Sequence, residues 1–159
     1  MSFSANVKNE ILSAELDNDC CRHAFAYGMM LFSRAFSSYD MSILTENSGV
    51  AERYLELTKS VCGVKPQLIK TEAGKFKVEV TNKDERLKVL ETFGYDKKSG
   101  ALRLNWSNIS DECCKTAFLQ GVFLTCGTIN DPNKNYHMEF VVPYLNLSRD
   151  LMLFINDYD

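Results

Sequence analysis

Two cysteine pairs, Cys20-Cys21 and Cys113-Cys114, are the residues of this chain whose type and spacing first suggest chemistry. Thiolates bind zinc and exchange disulfides, and the positive end of a helix lowers a thiol pKa, so each pair reads as a candidate redox sensor if it opens a helix. Together with His23, the set Cys20, Cys21, His23, Cys113 and Cys114 would also supply enough ligands for one zinc ion. Against both readings, adjacent side chains splay apart and His23 lies too close in sequence to its neighbours for easy joint coordination. The preferred reading is therefore cysteine as a small hydrophobe at a packed helix entrance, with no metal and no other cofactor expected. Elsewhere the chemistry is sparse. His137 lies in a strand-like run, Cys62 packs the end of a helix, and no HExxH or serine-nucleophile pattern can be assembled.

The elements that must position these residues are set first by size and composition. A chain of 159 residues with 45% hydrophobic and 25% charged residues is that of an ordinary globular protein with room for a sizeable core. No segment reaches the length of apolar sequence that a membrane span needs, and the N-terminus lacks the apolar core of a signal peptide, so no membrane contact and a cytoplasmic location are expected. The formal charge of −3 gives no overall attraction to nucleic acid, and any such contact must come from a local patch.

Self-similarity organises the rest. A shift of 93 residues places Cys20, Cys21, Ala24, Phe25, Gly28 and Leu31 on Cys113, Cys114, Ala117, Phe118, Gly121 and Leu124, and Arg22 on Lys115. After each copy come a turn, a strand-like run (MSILTEN; YHMEFVV) and an amphipathic segment (VAERYLELTKSV; LSRDLMLFIND), so both halves read helix, hairpin, helix. The first half continues with a hairpin over 66–70 and 75–81 and a helix over 84–93, preceded at the N-terminus by a helix over 5–12 with Ser4 as N-cap. The fold class is thus α+β, a tandem of αββαββα units: residues 1–94 form the first with its N-terminal helix, 95–109 a linker, and 110–159 a second, incomplete unit.

Both repeated helices are apolar on nearly every side, the pattern of a helix buried all round. In each, alanine and glycine stand four apart, so Ala24, Gly28, Ala117 and Gly121 would let two helix axes approach closely at a pseudo-twofold axis. These residues carry a family resemblance. LQGVFLTCGTI (119–129) resembles the LAGLIDADG helix of homing endonucleases, and SFSANVKNEI, the CC pairs and CCKTAFLQGVFLTCGTINDPNKNYHMEF resemble the WhiA family of bacterial sporulation and cell-division transcription regulators.

The resemblance implies two central helices at the interface, a sheet saddle that faces DNA, and a C-terminal helix-turn-helix that this chain does not contain. It also implies an acidic residue near the end of each central helix for divalent-metal catalysis. Carried onto this sequence, those positions are Ser33 and Cys126, with the earlier acidic position at Leu31 and Leu124, so no enzyme activity is expected. Asp40 and Asp131 lie beyond, in turns. Lys65, Lys70, Lys75 and Lys77 cluster in the second hairpin as possible phosphate contacts, diluted by Glu72 and Glu79. The expected role is the inactive N-terminal part of a DNA-binding transcription regulator, nucleoid-associated when intact, with DNA held mainly through the helix-turn-helix and another regulator as a possible protein partner. The competing expectation is a protein-interaction module that makes no DNA contact.

Overall fold

The starts of the first four α-helices are fixed by side chains that satisfy otherwise unpaired amides. In the computed structural model, which describes residues 2–96 and 101–158, Asn18 Oδ1 accepts from Cys21 N–H at 3.0 Å and Asn47 Oδ1 accepts from Gly49 N–H at 2.9 Å. The N-cap of the first helix is Ser2, whose hydroxyl accepts from Ala5 N–H. Ser4, expected in that role, sits inside the first turn instead, and its hydroxyl accepts from Ile129 N–H. Gly63 and Gly94 close two helices in the left-handed region, at φ 70° and 82°.

The elements are α1 (Phe3–Ser13), α2 (Asp19–Leu31), β1 (Ala35–Phe36), β2 (Met41–Thr45), α3 (Ser48–Cys62), β3 (Gln67–Lys70), β4 (Phe76–Glu79), α4 (Lys83–Thr92), a 3-10 turn (Trp106–Ile109), α5 (Glu112–Cys126), β5 (Gly127–Ile129), β6 (Met138–Phe140) and α6 (Leu145–Asn156). Strands β1, β2, β4 and β3 form one antiparallel sheet in that order, and β5 pairs antiparallel with β6 in a second. This is the mixed fold expected from the repeat, with two differences in detail. The hairpin strands are shorter than the apolar runs suggested, and β1 falls at Ala35–Phe36, ahead of the turn, where no strand was expected. In register, Ile43 opposes Val78 and Leu68 opposes the same valine, so these three share the face that α3 covers.

Helices α2 and α5 lie at the centre, packed along their length with their N-termini at the same end. Every residue of α2 from Ala24 to Leu31 is buried, as are Ala117, Phe118, Gly121, Val122, Phe123 and Leu124 of α5. The contact is reciprocal at its glycines. A Cβ on Gly28 would collide with Phe118 O and come within 3.1 Å of Val122 N; one on Gly121 would collide with Phe25 O and come within 3.1 Å of Met29 N. Each glycine thus meets the other helix's backbone at positions related by the same 93-residue shift.

The stretch read as a linker is packed where it is described. Asn105 N–H donates to the Tyr27 hydroxyl at 2.7 Å, Tyr95 O–H donates to Arg103 O, and Asn108 Nδ2 donates to Phe93 O. Residues 97–100 of that stretch lie outside the described residues. Arg103 makes a two-bond fork onto Asp150 of α6, both at 2.8 Å, and Leu104 N–H adds a third donor at 2.9 Å. Hydrogen bonding from Arg103, aided by the Leu104 amide and opposed by burial, holds the Asp150 carboxyl below the usual carboxylate range.

Two outcomes are expected. Gly28→Ala places a methyl against a backbone oxygen that no rotamer change can move, so urea unfolding should show a loss of about 2 kcal/mol or more despite alanine's better helix propensity. Asp150→Asn should cost about 1–3 kcal/mol near neutral pH. Because the folded carboxyl's pKa is depressed, its contribution is complete above the unfolded value and disappears as pH falls through the folded one. The variant's urea midpoint should therefore lose less than the parent's below about pH 4.

Candidate nucleic-acid interface

The C-terminal ends of the two central helices are where a LAGLIDADG nuclease would present its acids. Ser33 follows α2, is buried, and donates its hydroxyl to Met30 O at 2.6 Å. Cys126 ends α5, half-buried, with its thiol directed to Val122 O at 3.4 Å. Burial pushes this thiol up to about 12, with Lys8 opposing, so it is a neutral group at physiological pH. Leu31 and Leu124 are buried in the core. The nearby carboxylates are engaged in turns: Asp40 Oδ1 accepts from the Ser42 hydroxyl at 3.3 Å, and Asp131 Oδ1 accepts from Asn133 N–H at 2.9 Å. His137 lies beside Glu139 on an exposed surface, 3.1 Å away.

The lysines of the second hairpin do not converge. Lys70 opposes Phe76 across the β3–β4 ladder and Lys77 opposes Ile69, so the alternation of side chains puts Lys70 and Lys77 on opposite faces of the sheet. Lys70 lies over the Phe76 ring at 5.8 Å. Lys77 pairs with Glu79 on its own face at 3.2 Å, which cancels much of its charge. Lys65 is exposed ahead of β3, where its backbone N–H donates to Glu85, and Lys75 sits in the turn that leads into β4. The sheet face away from α3 carries Leu44 and Ile69, 36% and 42% exposed, beside the Lys77–Glu79 pair. It is a mixed apolar and charge-balanced surface.

At the opposite ends of the same helices the cysteine pairs meet, which corrects the expectation that adjacent cysteines would point apart. Cys20 and Cys21 occupy the second and third positions of α2, and Cys113 and Cys114 the same positions of α5. All four sulfur atoms lie within 4.8 Å of one another, with Cys20 Sγ and Cys113 Sγ at 3.8 Å. Burial raises the Cys21 thiol to about 11 and the Cys114 thiol to about 12, whereas hydrogen bonding from Cys21 and Cys20 lowers that of Cys113. His23 is excluded from the group: its Nε2 is 2.6 Å from Asn108 Oδ1 and its ring meets Phe93 edge-on. Sequence reasoning missed this convergence although its signals were legible. Two helices packed through small residues at matching repeat positions, with N-termini together, must also bring together the residues two turns before those glycines.

The central helices and hairpins are similar to those of WhiA LAGLIDADG-like domains. Residues 115–159 match the family model of the WhiA LAGLIDADG-like domain. The chain carries a WhiA-type LAGLIDADG-like fold. It is similar over its whole length to a probable cell division protein WhiA of Alkaliphilus metalliredigens, at 28% identity and covering 55% of that protein. A WhiA of the same description from Carboxydothermus hydrogenoformans is 30% identical over 99% of this chain and 54% of its own. The chain thus spans about half the length of the curated WhiA relatives it matches. Two crystal structures share the fold: the N-terminal LAGLIDADG domain of DUF199/WhiA, with TM-score 0.62, 15% identity and coverage of 89% of this chain and 66% of that one, and full-length DUF199/WhiA from Thermatoga maritima, with TM-score 0.61, 16% identity and coverage of 88% and 44%. Among the described residues no helix is long and apolar enough to cross a membrane.

Proposed function

We propose that this chain is a non-cleaving LAGLIDADG-like scaffold within a DNA-binding transcription regulator linked to sporulation or cell division. The observation that carries the first half of this reading is the chemistry at the ends of the central helices. A two-metal or one-metal phosphodiester cleavage needs hard oxygen ligands near the scissile phosphate. Here the two positions hold a serine and a neutral thiol, each directed to a carbonyl of its own helix. Neither supplies negative charge to a hard cation.

The second half rests on the likeness to WhiA proteins. In the intact protein, DNA is bound chiefly through the helix-turn-helix that the resemblance implies, and the scaffold orients it. A second reading, a protein-interaction module that receives another regulator, is favoured by one specific surface: the open sheet face where Leu44 and Ile69 flank a neutralised Lys77. Phosphate contact is salt-sensitive and scales with the number of cations delivered to one face, and this face delivers few.

Two measurements test the proposal. Fluorescence anisotropy with duplex DNA should show weak binding by this chain that vanishes at moderate salt; tight, salt-resistant binding would show that the scaffold reads DNA itself. Incubation with supercoiled and linear duplex DNA and Mg²⁺ or Mn²⁺ should leave both intact. Cleavage that Asp131→Ala abolishes would overturn the inactive assignment.

A further inference from the structure

We infer that Cys20, Cys21, Cys113 and Cys114 form a four-thiolate site for a zinc-class cation that ties the N-terminal ends of the two central helices together. The geometry carries it. Four sulfur atoms from two chain segments 93 residues apart lie within 4.8 Å of one another, and among the described residues this is the one such cluster of metal-binding side chains. A tetrahedral ion with metal–sulfur bonds of about 2.3 Å requires sulfur–sulfur edges of about 3.8 Å. The Cys20–Cys113 edge already has that length, 3.8 Å. The other sulfur–sulfur separations are no longer than 4.8 Å, at most about 1 Å beyond that edge.

Charge and access also fit. Four thiols binding one divalent cation release their four protons to water and leave a net charge of −2 on the centre. Two helix N-termini, each equivalent to about half a positive charge, point at that charge. Asn18 Oδ1 accepts from Cys21 N–H at 3.0 Å and so fixes the first turn that presents the pair. The charged neighbours are partly neutralised among themselves: Arg22 pairs with Glu56 at 2.6 Å and Lys115 with Glu112 at 3.2 Å, while Asp19 opens α2 beside the pair. Cys113 is exposed and Cys114 buried, so an ion can enter from solvent and be held against the core. Soft thiolates select zinc, iron or cobalt over the hard cations a nuclease would use, so the site is distinct in chemistry as well as in place from the helix ends that hold Ser33 and Cys126.

The inference stands whether or not the chain touches DNA, and its test does not involve DNA. The full 159-residue chain, reduced and stripped of metal, is titrated with Co²⁺ and then with Zn²⁺. Cobalt should give sulfur-to-metal charge transfer and the intense visible bands of a tetrahedral tetrathiolate, saturating at one ion per chain, and zinc should bleach them and raise the Tm. Cys113→Ser, at an exposed position the fold tolerates, should remove the tetrathiolate spectrum and weaken zinc binding at least about tenfold. Cys62→Ala, in the core away from the cluster, should keep both, with circular dichroism confirming that each variant is folded. The inference is overturned if reduced protein with six free thiols gives no saturable spectrum. It is overturned equally if the spectrum survives Cys113→Ser, or if oxidation closes a Cys20–Cys113 disulfide while zinc leaves the reduced protein's Tm unchanged.

Discussion

The close approach of α2 and α5 is the constraint on which the rest of the molecule depends. Gly28 and Gly121 bring two helix backbones into direct contact, and every other long-range arrangement is measured from that seam. It sets where Phe25, Phe118 and Tyr27 pack, it puts the ends that follow Leu31 and Cys126 at one pole, and it puts four cysteines at the other. Because the helices are related by the repeat, one geometric decision is made twice and must satisfy both halves at once.

Around this seam the two halves are dressed differently. In the first, β2 has neighbours on both sides and α3 covers the resulting sheet. In the second, β6 pairs with β5, and α6 is fixed by the Arg103–Asp150 fork. Polar interactions therefore concentrate where the halves are joined, in Tyr27, Tyr95, Asn105, Asn108 and Asp150, while the seam itself is apolar. Burying Asp150 requires three donors at once, and residues 103–104 supply all of them, which makes that segment part of the packed structure.

Most of the architecture was legible in the sequence because the repeat and the helical periodicity report local rules that tertiary packing here does not override. Helix boundaries at Asn47, Gly63 and Gly94 follow from capping chemistry alone. Less legible were features set by distance in space. Ser2 rather than Ser4 is the cap, and Ser4, inside the first turn, accepts from Ile129, a residue far along the chain. The four lysines looked like a patch in one dimension, but strand alternation sends Lys70 and Lys77 to opposite faces. The cysteines looked divergent when each pair was taken alone and converge only when two helices are considered together.

The first helix has a consequence of a different kind. No residue of α1 is fully buried, yet it reaches α3 on one side and α5 and β5 on the other, held by Arg53 on Leu12 O at 2.7 Å, by Ser4 and by Lys8 over Phe123 at 5.8 Å. An element with so little buried surface opens at a small fraction of the global unfolding free energy. Its amides should exchange with solvent well before those of α2 and α5, and each opening removes the wall that Val7 and Ile11 give to an apolar groove shared with Leu119, Phe123 and Ile129. Burial thus sets two tiers of protection: a central pair enclosed by the whole fold, and an outer strap with no fully buried residue.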